Sequence, residues 1–445
     1  MKFFLWIFYR SYRSSSRLRY WLRRRFTRSG LVVFAGILTA AIIGVDTENT
    51  VTYQALTPLV CLLLVAFVFS WFFRARFSAT RLLPRFGTAG RPFYYRVLLK
   101  NLTPKAQNDL TLLENLADPR LSFRDWRAIL FAYTRETRSF RFGRRITNPF
   151  KLASVKEAAV SPLPPGGEAE VQVEVMPLRR GVLRFTGMTF ARTDPFGLFR
   201  SFVKLPLPQT VLILPKRYPV PPIALPGTMK YQEGGVALAS NVGRSEEFVS
   251  LRDYRRGDPL RHVHWRSWAK VGKPIVKEFE DEFFVRHALI LDTFTENPYS
   301  EMFEEAVSVA SSFACTLLTQ ESLLDLLFVG AQAYCLTAGR GLAHVEEMLE
   351  ILASVRTCGD KSFQSLEHLV LNHAGTVSGC ICVLLKWDEE RRRFVDKLKS
   401  IGVPVLTLVV TVPGKGKSLE QLRNRPERFY VLEVGRIEEG LAKLP

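Results

Sequence analysis

The first 73 residues alternate between a basic, aromatic segment and two uncharged apolar segments. Residues 31–45 and 55–73 contain no Asp, Glu, Lys or Arg. The second segment has the ~20 residues that cross a hydrocarbon core, and the first comes close to that length. The pattern therefore predicts two transmembrane helices, at 29–45 and 55–73, joined by the short loop 46–54.

Basic residues lie on both outer sides of this predicted hairpin. Residues 1–28 contain nine Lys and Arg and no acid, and the chain as a whole has a formal net charge of +20. Because basic flanks stay in the cytoplasm, we expect a cytoplasmic segment at 1–28 and a periplasmic loop at 46–54. This predicts a two-pass protein of the bacterial inner membrane that contacts lipid through the hairpin. A cleaved signal peptide is the alternative, although the basic leader is long for one.

Residues 87–215 have the pattern of a small β-sandwich-like domain. Short runs rich in β-branched and aromatic residues alternate with period two, and turn residues separate them. The predicted strands include Tyr94–Leu99, Leu110–Leu113, Ala169–Val175, Val182–Phe190 and Val211–Leu214. Such strands favour two antiparallel sheets packed face to face.

Residues 286–445 alternate continuous apolar strands with amphipathic helices. Strands are predicted at His287–Leu291, Leu324–Val329, Cys380–Leu385, Val403–Val410 and Phe429–Val434. Helices are predicted at Glu301–Leu318, Gly341–Val355, Ser362–Asn372 and Asp388–Ser400. This alternation is typical of a doubly wound α/β domain with a largely parallel sheet. Ligands of such sheets bind beyond the carboxyl ends of the strands, where Asp292 and Asp388 are placed.

The segment between these domains, 216–285, holds the densest group of polar residues. The sequence has no Gly-rich phosphate loop and no nucleophile signature of the common types. A hydrolase could use His264 as a base oriented by Asp253 or Asp258. The structural alternative, which we favour, is a turn at Gly257 in which Asp258 caps a helix starting at Pro259.

The same segment resembles a known family. Its residues EFVSLRDYRRGDPLRHVHWRSWAK, together with Arg179-Arg180-Gly181 and the later DPFGLF at 194–199, are similar to the signature of the DUF58 family. The signature residues of this resemblance are Arg252, Tyr254, Gly257, Asp258, Pro259, Arg261, His264 and Trp265. The resemblance implies a von Willebrand factor A-like domain at 286–445. It also implies work beside a MoxR-type AAA+ ATPase in assembling or activating other proteins.

A von Willebrand factor A-like domain implies a Mg²⁺ site, and this sequence departs from it. Such sites use a D-x-S-x-S loop after the first strand, with further oxygen ligands from later loops. Here Asp292 is present, but Phe294 and Glu296 stand at the two serine positions. We therefore expect no cofactor and keep a degenerate Mg²⁺ site as the alternative. Its candidate ligands are Asp292, Thr295, Ser362 and Asp388.

Three functions follow from these patterns. The first is a membrane-anchored, non-catalytic interaction module whose partner is a protein such as a MoxR-type ATPase. The second is a hydrolase that uses the Asp253, Asp258 and His264 cluster. The third is a nucleic-acid-binding protein. No nucleic acid is expected as a partner, because much of the excess positive charge lies in the first 90 residues.

Overall fold

A computed structural model divides the chain into two units. The residues described are 2–43, 50–118, 122–124, 126–127, 151–221, 248–258, 260–279, 286–295, 297, 299–318, 323–338, 342–414 and 427–444. The first unit contains 1–216 and two short later segments, 297–299 and 352–354. The second unit contains the remainder of the chain.

Three helices begin the first unit: α1 (Lys2–Arg25), α2 (Arg28–Ile43) and α3 (Thr50–Trp71). Within the described residues, no helix has both the length and the apolarity needed to cross a membrane. At 1.5 Å per residue, the 16 residues of α2 extend about 24 Å, short of a ~30 Å hydrocarbon core. The predicted transmembrane hairpin is therefore wrong, and so is the two-pass inner-membrane location. Part of its loop, 46–54, lies outside the described residues.

The DPFGLF segment holds these helices against the β-strands of the same unit. Asp194 accepts hydrogen bonds from the backbone N–H groups of Phe196, Leu198 and Phe199, which close a tight turn. A Cβ on Gly30 would lie 2.0 Å from the Leu198 carbonyl oxygen, so only glycine permits this approach of α2. The motif is thus a docking turn for the N-terminal helices.

Two sheets form the rest of the first unit. One has the order β1-β3-β7-β5 and the other has the order β2-β9-β8-β4-β6. Both contribute to one apolar core that includes Tyr95, Val97, Val173, Phe185 and Phe190. Burial alternates along the strands, as it must when one face of each sheet meets the core. The strands are β1 (Phe77–Leu82), β2 (Phe86–Thr88), β3 (Phe93–Asn101), β4 (Leu110–Leu116), β5 (Ala153–Val155), β6 (Ala158–Val160), β7 (Glu168–Pro177), β8 (Gly181–Thr193) and β9 (Arg200–Leu214).

The second unit begins with a small hairpin that we name the signature hairpin. It consists of β10 (Phe248–Asp253), a 3-10 turn (Leu260–His262), helix α4 (Trp265–Val271) and β11 (Ile275–Phe279). The two strands pair antiparallel, and Val263 and Val276 form its buried centre.

A six-stranded mixed sheet forms the body of the second unit. Its order is β14-β13-β12-β15-β16-β17, with β14 antiparallel to β13 and the other pairs parallel. The strands are β12 (Arg286–Leu291), β13 (Leu323–Val329), β14 (Ala333–Ala338), β15 (Gly379–Leu384), β16 (Val405–Thr411) and β17 (Phe429–Glu433). The helices are α5 (Glu301–Leu318), α6 (Leu342–Ser354), α7 (Gln364–His373), α8 (Glu389–Ser400) and α9 (Ile437–Leu441).

Successive strand residues of this sheet are buried on opposite faces. Ala288 and Ile290 of β12 belong to one core cluster with side chains of α7 and α8. Leu289 and Leu291, which alternate with them, are also fully buried, and α5 packs against β12, β13, β15 and β16. Burial on both faces explains the continuous apolar strands.

Candidate functional site

The carboxyl ends of the central strands β12 and β15 form the first candidate site. The chain leaves β12 toward β13 on one side and later returns to β15 on the other side. Such a reversal of strand order leaves a crevice at the strand ends, where ligands of doubly wound sheets bind. Asp292 follows β12 directly, and Asp388 lies a few residues beyond β15.

Asp292 is fully buried, and four donors approach its carboxylate. The backbone N–H of Phe294 donates to Oδ1 at 3.0 Å, and that of Leu385 donates to Oδ2 at 3.2 Å. The Arg391 guanidinium donates to both oxygens, with Nε at 2.8 Å from Oδ2 and Nη2 at 3.3 Å from Oδ1. A buried carboxylate needs this degree of compensation.

Arg391 joins the two predicted metal-ligating acids. Its Nη1 lies 2.7 Å from Oδ2 of Asp388, whose Oδ1 accepts the Arg391 backbone N–H and so caps α8. The guanidinium carbon lies 4.5 Å from the ring centroid of Phe363. Burial alone would lower the pKa of Arg391, but the hydrogen bonds and charges of Asp292 and Asp388 raise it above its ordinary value. The guanidinium is therefore a permanent positive charge.

The other predicted metal ligands do not join this site. The side chain of Ser362 is exposed, and its backbone carbonyl accepts the N–H of Ser365 at the start of α7. Thr295 is half-buried just beyond Phe294, which packs its ring against Phe363 at 5.8 Å. Within the described ranges, no group of three His, Cys, Asp or Glu residues is placed to hold a metal. These residues do not fit the Mg²⁺ site that the resemblance implies.

The signature hairpin forms the second candidate site, and its turn is closed by Asp258. The Asp258 carboxylate pairs with both terminal nitrogens of Arg252, at 2.7 and 2.9 Å, and accepts the backbone N–H of Arg255 at 2.8 Å. These contacts lower the pKa of Asp258 to about 2. Gly257 has φ +114°, a conformation that L side chains rarely adopt. Asp258 therefore closes the turn that follows β10; Pro259, where the helix that it was expected to cap would start, lies outside the described residues.

His264 lies at the start of α4. Its Nδ1 is 2.6 Å from the Ser267 hydroxyl, and its backbone N–H donates to the Ile275 carbonyl of β11. Asp253 is exposed at the end of β10. The contacts of Asp258 and His264 thus lead to Arg252 and Ser267, and they provide no acid–histidine pair for hydrolysis. Tyr254 is half-buried, its N–H donating to the Pro274 carbonyl; Pro259 and the Arg261 side chain lie outside the described residues.

The outer side of α4 presents two stacked tryptophans. Trp265 is 63% exposed, and its ring lies 5.1 Å from that of Trp268 with an interplanar angle of 16°. Basic side chains are exposed on α4 itself, at Arg266 and Lys270, and in the turn after β10, at Arg255 and Arg256. We name the surface of α4 at Trp265 and Trp268 the tryptophan face. A stacked aromatic pair with one exposed ring, in a segment rich in exposed cations, favours a binding role over a structural one.

The sequence patterns did not identify Arg391, which organises the strand-end site. It lies in a run of charged residues, Glu389 to Arg393, and so resembles a solvated helix face. The available signal was its position in the helix. Arg391 occupies the same stripe as Phe394, Val395 and Leu398, the buried residues of α8.

One curated relative was found among known proteins. It is the uncharacterized protein YeaD of Bacillus subtilis (strain 168), 26% identical over 184 residues. The match covers 40% of this chain and 44% of the relative, so less than half of YeaD is represented.

Solved structures resemble the chain only distantly. The CARDB domain of the PF1109 protein from Pyrococcus furiosus matches 32% of this chain and 89% of its own, at 12% identity and a TM-score of 0.17. A GH20 exo-β-N-acetylglucosaminidase from Vibrio harveyi matches 77% of this chain and 57% of its own, at 10% identity and a TM-score of 0.13. Scores this low support no argument about fold or function.

A family model matches the signature hairpin and the first part of the α/β body. The match covers residues 250–374, from β10 of the signature hairpin to the end of α7, and stops before Asp388 and Arg391. Residues 250–374 are thus similar to the family described as protein of unknown function DUF58.

Proposed function

We propose that this chain is a non-catalytic protein-interaction module that works with a MoxR-type AAA+ ATPase in the assembly or activation of other proteins. The main support is the tryptophan face, where Trp265 and Trp268 stack on an exposed helix. This face lies within the stretch that matches the DUF58 model.

The composition of the tryptophan face favours a protein partner with an acidic surface. Tryptophan and arginine are the residues that most often dominate the energy of protein interfaces. Leu260, before α4, and Val271, the last residue of α4, are exposed apolar residues of the same segment, and Arg256, Arg266 and Lys270 are its exposed cations. An acidic patch would match this charge and accelerate association.

The engaged state of the candidate catalytic groups also supports a non-catalytic role. The hydrolase alternative needs His264 as a base that Asp253 or Asp258 orients. Asp258 is paired with Arg252, and Nδ1 of His264 lies 2.6 Å from the Ser267 hydroxyl. In these contacts Asp258 does not orient His264.

We further propose that the α/β body of the second unit is a von Willebrand factor A-like domain. Counted from β12, its strand order is 3-2-1-4-5-6, with the third strand antiparallel. Asp292 follows the first strand, at the place where von Willebrand factor A-like domains have an aspartate. The strand-end loops would then supply a second surface for partners.

Binding of the purified full chain to a MoxR-type ATPase tests the proposal. Trp265→Ala should weaken binding by roughly 30-fold or more, the effect of losing a central interface tryptophan. The melting temperature should not change, because Trp265 is exposed. Trp6→Ala removes an exposed tryptophan from the first unit and should leave affinity unchanged. No binding by the parent chain, or equal losses in both variants, would contradict the proposal.

A second candidate interaction, contact with an anionic lipid surface, is favoured by α1. Its exposed aromatic residues include Phe3, Phe4 and Trp21, and its exposed cations include Arg13 and Arg17. Helices that combine aromatic residues with cations bind at the surface of anionic bilayers.

Sedimentation of the full chain with vesicles tests the lipid contact. Vesicles that contain phosphatidylserine should retain more protein than phosphatidylcholine vesicles, and added salt should reduce the difference. Arg13→Ala with Arg17→Ala should weaken the retention, whereas Arg393→Ala on α8 should not. Equal retention by both kinds of vesicle would contradict an electrostatic contact.

A further inference from the structure

The strand-end site of the second unit contains its own cation. We infer that the Arg391 guanidinium occupies the position of a divalent ion between Asp292 and Asp388, and that the site binds no divalent cation while Arg391 is present. The inference stands on the geometry of these side chains and does not depend on the proposed partner.

The oxygens of Asp292 leave no room for a metal ion. Each of them accepts one backbone N–H and one guanidinium N–H. A Mg²⁺ ion would need to lie about 2.0–2.1 Å from an oxygen, inside the space that the guanidinium fills. Displacing the guanidinium would also separate it from its fully buried partner Asp292, which is strongly unfavourable.

The surroundings of Arg391 match a guanidinium better than a hydrated ion. The guanidinium carbon lies over the Phe363 ring, and Phe294 packs beside Phe363. Rings stabilise a planar cation through their faces but offer no ligand to a metal. Phe294 stands at a position where a metal site would need an oxygen, so the substitution and the guanidinium are two parts of one arrangement.

The charges of the site support the same inference. Arg391 is 4% exposed and has two carboxylate partners, of which Asp292 is fully buried and Asp388 is 43% exposed. Without the guanidinium, the carboxylates of Asp292 and Asp388 would face each other across an empty space with no cation between them. Convergent carboxylates are the ligands that Mn²⁺ and Mg²⁺ prefer. A variant without the guanidinium should therefore acquire affinity for these ions.

The test measures Mn²⁺ binding by the full chain, using the loss of the free-ion signal in electron paramagnetic resonance. The parent chain and Arg391→Lys should bind no Mn²⁺ at this site, and EDTA should not shift their melting. Arg391→Ala should melt lower, bind Mn²⁺, and regain melting temperature as Mn²⁺ is added. Asp292→Asn combined with Arg391→Ala should lose that binding, which locates the ion at Asp292.

Three results would overturn the inference. One is Mn²⁺ binding by the parent chain that Asp292→Asn abolishes. Another is a folded Arg391→Ala protein that binds no Mn²⁺. If Arg391→Ala does not fold, the test compares the melting temperatures of the single variant Arg391→Met and the double variant Asp292→Asn/Arg391→Met. The double variant should melt higher than the single one, because it removes the buried charge of Asp292 and leaves only the partly exposed Asp388 without Arg391. A lower or equal melting temperature is the third contrary result.

Discussion

Among the described residues, each unit contains an arginine–carboxylate pair in which both side chains are at most 5% exposed, and the two pairs have different surroundings. In the first unit Arg81 of β1 pairs with Glu114 of β4 at 2.7 Å, and neither side chain is exposed. In the second unit Arg391 pairs with Asp292 at 2.8 Å at the ends of parallel strands. Both pairs join a guanidinium to a carboxylate, so they differ only in the other groups that contact each carboxylate.

In the sandwich the partners of the pair are mainly side chains. The Tyr95 hydroxyl donates to Glu114 at 2.5 Å, and Arg81 donates to the Gln209 side chain and the Leu207 carbonyl. Arg81 also lies over the Phe185 ring. Because β1 and β4 belong to different sheets, the pair links the two layers.

At the strand ends the carboxylate also accepts backbone N–H groups. The N–H groups of Phe294 and Leu385 converge on Asp292 where the chain leaves two adjacent parallel strands. Antiparallel strands of a sandwich do not bring free N–H groups together at one end in this way. The comparison teaches that the ends of adjacent parallel strands can place backbone N–H donors around one hydrogen-bond acceptor. Here that acceptor is the Asp292 carboxylate, and Arg391 neutralises its charge.

The largest expected effect comes from removing one partner of either buried pair. Arg391→Met or Arg81→Met should each lower the free energy of unfolding of its own unit by about 3–5 kcal/mol, because a buried carboxylate loses its cation. Hydrogen exchange of peptides from each unit measures the two losses separately. Arg393→Met, which breaks the exposed pair with Glu389, should cost no more than about 1 kcal/mol. A loss that small in a buried pair would contradict the comparison.

Acid should affect the two units in opposite directions. Burial lowers the pKa of His287 on β12 from 6.5 to about 4, so the folded second unit resists protonation. Neutral His287 therefore does not reduce the free energy of unfolding of the second unit above pH 6.5. As the pH falls from 6.5 toward 4, the unfolded chain takes up the proton more readily, and up to about 3 kcal/mol of this free energy is lost. His287→Leu should remove this loss, whereas His368→Leu, on the exposed side of α7, should retain it.

In the first unit the relevant group is Glu114. Burial raises its pKa above the ordinary value of 4.5, and Arg81 opposes that shift. A carboxyl with a raised folded pKa stabilises the fold below its unfolded pKa and loses that contribution as the pH rises. Exchange rates corrected for intrinsic pH dependence should therefore show the second unit losing stability as the pH falls from 6.5 to 4, and the first unit gaining stability as the pH falls through the raised pKa of Glu114. Parallel changes in both units would contradict these assignments.

The smallest expected effect comes from replacing both charges of a pair. Arg81→Met with Glu114→Leu should recover most of the loss caused by Arg81→Met, since apolar groups then fill the space. Arg391→Met with Asp292→Leu should recover less, because two buried backbone N–H groups lose their acceptor. Chemical denaturation followed by exchange in each unit compares the recoveries. Equal recovery at both sites would show that the backbone donors do not matter.

Local patterns predicted the elements of the second unit well. The helix predicted at Glu301–Leu318 has the same bounds in the structure, and the strand predicted at Leu324–Val329 begins one residue earlier. These segments are long and strongly periodic, and packing on both sheet faces agrees with their local preference. The helix predicted at Asp388–Ser400 begins at Glu389 in the structure, and Asp388 is its N-cap.

The prediction of membrane crossing was less successful. The apolar pattern at 29–45 and 55–73 predicted two spanning helices, but no helix among the described residues has the length and apolarity for it. Asp258 was expected to cap a helix starting at Pro259, which lies outside the described residues, and its carboxylate pairs with Arg252 across the turn. The apolar pattern described local composition correctly, but composition alone did not determine whether a helix spans a membrane.

The sequence by itself determined the alternation of strands and helices, and the presence of Asp292 after a buried strand with Phe294 and Glu296 at the next alternate positions. Only the tertiary structure decided what neutralises Asp292. Arg391 lies 99 residues away along the chain, and periodicity cannot specify which strand end a helix covers. The physical reason is that a buried charge is compensated by whatever the fold brings within hydrogen-bonding distance.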